Sequence, residues 1–444
     1  MADPLLSRRL TEAEVDYVFL HLSSFVSADA PLRDVLAWPR SASPLRRGFE
    51  VEGVPVLFPC DGAPAVPFSV EGGEVVVRHD HVKGAFFLLS AYQEWATGRR
   101  DEWGRFPYEG SVQQELGIER RPVVNYYFKW MEDAIVRQCQ MRGVRCQVLS
   151  PLGGASLHLS HDIDLVRYFS WRKTLFRVAQ VAGLRPCDAP RGRLAKAAAV
   201  SLLNMVGLRH DADPYWSFDE IQDNEAFIGH KSDWFVLPDD GGPFPPDYDM
   251  ASDARVGELL AQLARRGNRI GLHAPIRTSR SEEYAELFEA LRQVCPQAVP
   301  IVRQHFLAVD AQTTYAAMDA AGLEADFSYG FSRHEGFRNS YCFPFRPFDH
   351  ARQAPLRMVV VPLALMDVTV LVHRRLSFDE VFLVVGEMLD EVRRFGGLFS
   401  LLWHNSTFDE VRHPGVRRFY EDLHLFFSQY QLRPFTRTPG TSTF

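Results

Sequence analysis

Two carboxylates and an imidazole stand together at His161-Asp162-Ile163-Asp164, directly after the apolar-rich run Leu157-His158-Leu159. On an extended backbone, residues two apart leave the same face, so Asp162 and Asp164 point the same way. Two like charges this close stay ionised beside a metal, a cation or a shared proton. Further along, His273 follows Gly271-Leu272, and Arg303 and His305 alternate in Val302-Arg303-Gln304-His305-Phe306. Asp326 ends another apolar segment, and His404 lies in Leu402-Trp403-His404-Asn405. Carboxylate plus imidazole is a ligand set for Zn²⁺ or another divalent first-row ion. Such an ion lowers the pKa of bound water toward ~7 and polarises a carbonyl. A second carboxylate then serves as base, and a separate His as acid for a leaving amine. These are the parts needed for metal-assisted hydrolysis of an amide or ester. The competing reading of the first stretch alone is a strand end whose Asp residues cap the next helix or turn.

All these residues sit at the ends of short apolar segments. From residue 151 the pattern is strand then helix, with apolar segments at 156–160, 231–237, 268–273, 299–306, 322–328, 358–366 and 398–404. Helical stretches such as 255–265 and 282–294 lie between them, and 377–394 is bounded by a Ser377/Glu380 capping box and Gly396-Gly397. Such alternation implies parallel strands with right-handed crossovers. Seven strands suggest an incomplete TIM-type barrel with its site at the strands' C-terminal ends, a doubly wound open sheet being the alternative. The run 359–372, broken by Pro362 and Asp367, reads as buried strands. The segment 165–209 carries nine Lys or Arg against one acid, Asp188. It reads as an inserted helical hairpin packed on the barrel. Its alternative is a basic, partly apolar flap facing anionic lipid or a phosphorylated substrate.

A chain of 444 residues exceeds one ordinary core, so two domains are expected, 1–150 and 151–444. The first reads as a small α+β unit, with strands near 51–58 and 73–78 and an apolar helical face through Phe86, Tyr92 and Trp95. A second helix starts near Pro122, and 101–106 reads as a loop. No chemistry is legible in this half. Hydrophobic content of 46% and charged content of 24% fit a soluble globular protein, and the net charge of −7 argues against a general nucleic-acid binder. The N-terminus lacks the basic-then-apolar order of a secretory leader, and no apolar run approaches the ~20 residues of a membrane span. Six cysteines without a CxxC pair fit a reducing compartment, so a cytoplasmic location is expected.

Taken in order, His161-Asp162-Ile163-Asp164, Gly271-Leu272-His273, Arg303-Gln304-His305, Gly336-Phe337-Arg338-Asn339 and Trp403-His404-Asn405 resemble the polysaccharide deacetylase superfamily (carbohydrate esterase family four). Its members are deformed (β/α)7 barrels that hydrolyse N-acetyl groups on sugars. The motifs are closest to an uncharacterised bacterial branch that often carries an extra N-terminal domain and occurs with surface-polysaccharide functions. The resemblance implies Asp162 as base, Asp164 and His273 as metal ligands, and Arg303 as the group that orients Asp162. It implies His404 as acid and Asp326 as the carboxylate supporting it. The family's second motif is His-x-x-x-His, and here Arg277 replaces its second imidazole. His305, on Arg303's face, is the candidate third ligand, and His161 is the runner-up, although its place next to Asp162 sends it to the opposite face. Arg338, on a loop after the fifth strand, is expected to grip a substrate carboxylate or phosphate, with Arg277 as a second such contact. A structural role bridging loop carbonyls competes for Arg338. The implied activity is a metal-dependent deacetylase, zinc being the expected ion, acting on an N-acylated sugar or surface-polysaccharide precursor. Two rivals stand beside it: a metal-free barrel that binds glycan or a partner, and a hydrolase of a non-sugar C–N bond.

Overall fold

The computed structural model describes residues 3, 5–239 and 242–435, so the reading of the extreme N-terminus and the outer ends of the two expected domains lie partly outside the described residues. The first barrel strand, Ser156–Ile163, is buried along its whole length. On one side it pairs in parallel with Ser232–Val236, followed by Arg269–Ala274, Ile301–Gln304, Ala325–Asp326 and Val359–Val360. On the other side lie Leu398–Leu402 and then Leu365–Met366. The outermost strands of this path therefore belong to one stretch of chain, residues 359–366. Its start pairs with the fifth strand and its end with the seventh. Backbone bonds from Val361 to Asp326, Leu363 to Tyr329 and Ala364 to Ser400 carry the switch between them. The sheet curls round on itself, which excludes the doubly wound open alternative.

Inside this curl Phe235, Ile301, Ala325, Phe327, Val361 and Leu398 form an apolar plug. Outside it, Ala254–Arg265 buries Val256, Leu259, Leu260 and Leu263, an i, i+3, i+4, i+7 stripe. Each such side chain contributes roughly 1.5–3 kcal/mol on burial. Helix Phe378–Phe395 has the expected Ser377/Glu380 capping box and ends at Gly396 with φ +67°. One expectation fails here: Thr369–His373 is a π-helical turn, because the chain leaves the sheet after Asp367. Residues 165–209 form two packed helices, Trp171–Val181 and Arg191–Met205. Among the described residues no helix is long and apolar enough to cross a membrane.

The first 150 residues hold helices Glu12–Leu22, His81–Leu89 and Val123–Arg142 with three short antiparallel ladders. Their core is continuous with that of the barrel's outer layer. Several polar clamps join the two parts: Arg100 to Asp310 at 2.6 Å, Arg120 to Glu335 at 2.7 Å, and Glu94 to Arg338 at 2.6 Å. Gly336 lies in the same seam at φ +125°, where a Cβ would stand 2.3 Å from the Glu119 carbonyl oxygen, so only glycine fits.

Candidate active site

Parallel register brings the chemistry to one rim. The end of the first strand supplies Asp162 and Asp164, the third His273, the fourth Arg303 and His305, and the seventh His404. His273 Nε2 lies 3.2 Å from Asp164 Oδ1 and 3.6 Å from Asp162 Oδ2. His305 Nε2 lies 3.9 Å from Asp164 Oδ2. One ligand atom each from Asp164, His273 and His305 falls within 4.8 Å of the others. The His273 Nδ1 faces the Arg303 carbonyl at 3.0 Å. A carbonyl only accepts, so Nδ1 carries a hydrogen and Nε2 is the ring atom turned to the carboxylates. Both that Nε2 and Asp164 Oδ1 are buried and lack a well-aligned hydrogen bond, so either atom could serve an ion. The donor set fits a divalent first-row metal.

Burial would lower the His273 pKa, but Asp162 and then Asp164 outweigh it and raise it above its usual value. Burial would raise the Asp164 pKa, but His305, His273 and His404 outweigh it and hold this carboxyl well below its usual range. Burial pulls His305 down to about 4 against the opposing pull of Asp164, leaving it neutral and able to ligate. Asp162 is set apart by Arg303, whose Nη1 donates to Asp162 Oδ1 at 3.0 Å while Nη2 donates to Ser160 Oγ at 2.8 Å. His404 Nε2 stands 3.9 Å from Asp162 and 3.7 Å from Asp164. Burial alone would lower its pKa, yet Asp367 first, and then Asp164 and Asp162, raise it to about 10. These carboxylates favour its charged form.

The partner of His404 corrects an expectation. Its Nδ1 donates to Asp367 Oδ1 at 2.8 Å, and its backbone N–H to Asp367 Oδ2 at 2.8 Å. Asp326 is fully buried on the fifth strand and accepts from the Ser328 N–H and hydroxyl. The sixth strand separates it from His404, whereas Asp367 follows Leu365–Met366, which pairs directly with the seventh strand. A further expectation falls. Arg338 is buried against Glu94, with Nε donating to Oε1 at 2.8 Å, and faces the N-terminal unit instead of a substrate. Arg277 is exposed in the turn beyond the third strand and is not among the residues lining the two cavities that touch the donor cluster. His161 faces outward, 2.6 Å from Glu225.

The site also takes a residue from the N-terminal half. Arg105 lines the small cavity of about 180 Å³ bounded by Asp162, Asp164, His273, His305 and His404. It pairs with Asp101 at 2.8 Å and donates from Nη1 to the Phe306 carbonyl at 2.8 Å. Phe306 and Leu307 both hold positive φ, +61° and +53°, immediately after His305. Arg105 thus braces a strained turn that aims a candidate ligand. Arg105→Ala is expected to weaken zinc binding about tenfold, measured by competition with a chelating dye. A larger cavity of about 920 Å³ shares Asp164, His305 and Phe306 and runs toward helix Trp171–Val181.

Comparison with known proteins adds the following. A model for DUF7033, a family of unknown function, matches residues 38–140, within the N-terminal unit. No curated protein matches the chain. Among solved structures, the chain is similar to a candidate polysaccharide deacetylase from Mycobacterium smegmatis, at 13% identity over 64% of this chain and 94% of that one, TM-score 0.36. It is also similar to a candidate glycoside hydrolase/deacetylase from Parabacteroides distasonis, at 10% identity over 62% of this chain and 67% of that one, TM-score 0.34. At such identities and scores neither neighbour says what this chain does.

Proposed function

We propose that the barrel is a metal-dependent hydrolase that removes an N-acyl group, N-acetyl foremost, from an amino sugar or a surface-polysaccharide precursor. The observation that carries this reading is the separation of roles at one rim. A three-donor cluster stands beside a carboxylate locked by Arg303 and an imidazole locked by Asp367. The ordered motifs supply the sugar class. Asp164, His273 and His305 would hold the ion, which when bound would polarise the acyl carbonyl and acidify a water.

The chain's own residues do the rest. Asp162 takes a proton from the attacking water as its oxygen bonds to the acyl carbon. Arg303 keeps the Asp162 carboxylate turned to that water. His404 gives its Nε2 proton to the departing nitrogen as the C–N bond breaks, so acetate and a free amine leave. Asp367 holds the His404 ring and favours its charged form. Asp367→Asn is expected to lower turnover by about two orders of magnitude with little change in KM, read by steady-state acetate release. The reading itself is tested by incubating the protein with N-acetylated hexosamines and their oligomers. Acetate release that stops on chelation and returns with zinc is expected. No release by zinc-loaded protein from any acetylated sugar would contradict it.

A further inference from the structure

Helix Trp171–Val181 is packed inside out. A helix on a soluble protein buries its apolar stripe and shows its polar one. Here Thr174, Arg177 and Gln180 are buried, while Trp171 is 59% exposed, Leu175 63% and Val178 49%. Those three stand at i, i+4 and i+7, one face of the helix. The orientation is fixed by polar contacts beneath. Thr174 Oγ1 meets Ser201 Oγ at 2.6 Å, and Gln180 Nε2 donates to the Pro186 carbonyl at 2.8 Å. Beyond the ends of the two helices, Leu184 and Leu208 are 78% and 74% exposed. Of seventeen exposed large hydrophobic residues among those described, eight lie between 171 and 208, so this is a patch and not scatter.

The same hairpin is basic. Arg172, Arg185, Arg191, Arg193 and Lys196 are exposed, and none forms an ion pair among the described residues. They belong to a segment with nine cationic side chains and one acidic one, in a chain of net charge −7. An apolar face ringed by uncompensated cations repels a second copy of itself. It complements a surface that is apolar below and anionic above.

We propose that residues 171–209 dock the protein on an anionic bilayer, with Trp171, Leu175 and Val178 in the acyl boundary and the cations among the headgroups. Phe176 and Arg172 of this hairpin line the 920 Å³ cavity that reaches Asp164 and His305. Docking therefore sets the mouth of that cavity at the membrane surface, where a lipid-borne sugar would be met. The surface stands on its own packing and charge, whatever the chemistry of the rim.

The test is flotation of the full chain with vesicles of phosphatidylcholine alone and of phosphatidylcholine mixed with phosphatidylglycerol. Binding to the anionic vesicles, weakened by salt, is the expected result. Trp171→Ser/Leu175→Ser should lower the partition coefficient at least tenfold. Arg185→Ala, Arg193→Ala and Lys196→Ala should each lower it about fivefold. All five positions are exposed, and an unchanged circular dichroism spectrum certifies the fold. No binding to anionic vesicles, or binding indifferent to these variants, would overturn the proposal. So would wild-type self-association in sedimentation equilibrium that Trp171→Ser/Leu175→Ser abolishes, since a second copy would then cover the face.

Discussion

Asp162→Asn is expected to lower acetate release by about three orders of magnitude while leaving bound metal in place. The amide is isosteric but cannot take a proton from water, and loss of a positioned general base costs about 10²–10⁴ in rate. The donors Asp164, His273 and His305 are untouched, so metal content separates loss of the base from loss of the ion. The substitution also strips the buried Arg303 guanidinium of its carboxylate. Asp326 lies within range of that charge, and although burial pushes its carboxyl up, Arg303 opposes the push and favours the ionised form that partly compensates. Assays near neutral pH, with the fold checked by thermal unfolding, keep the rate effect readable. Full activity in the variant would move the base elsewhere.

The second large effect lies far from the reacting atoms. Glu94→Ala is expected to destabilise the chain by about 3–5 kcal/mol, because it leaves the Arg338 guanidinium buried without its counter-charge. Both side chains are only 1% exposed, and the Tyr329 hydroxyl adds a bond to Glu94 at 2.9 Å. Replacing both partners, Glu94→Leu with Arg338→Met, is expected to recover most of the loss, since an apolar pair carries no desolvation penalty. Urea unfolding of the two variants decides it. A single-variant cost below about 1 kcal/mol would mean that water reaches the pair, as at exposed ion pairs.

The rim was legible wherever the chemistry followed the strand period. Asp162 and Asp164 share a face because they are two apart, and Arg303 and His305 repeat that spacing. The partner of His404 was misread because strand neighbours are a tertiary property. The sixth strand is split, and which acid lies beside the seventh depends on where the chain switches partners. A signal existed in Asp367, an acid interrupting the apolar run 359–372. Arg338 was read as a ligand for substrate because its counter-ion, Glu94, lies more than two hundred positions away. Arg105 had no local mark at all. Its role comes from a loop of one half reaching the carbonyl of Phe306 in the other. Helix Trp171–Val181 shows the limit of periodicity. An apolar stripe predicts a helix equally well whether that stripe faces in or out.

Whether Asp164, His273 and His305 form a metal centre is decided by elemental analysis of untagged protein. Wild-type protein dialysed against zinc and then against metal-free buffer should retain close to one zinc ion per chain. Asp164→Ala, His273→Ala and His305→Ala should each lose it, whereas Asp162→Asn should keep it. Wild-type protein that holds no metal after this treatment, or zinc retained undiminished in Asp164→Ala and His273→Ala, would contradict the metal centre and the hydrolysis built on it.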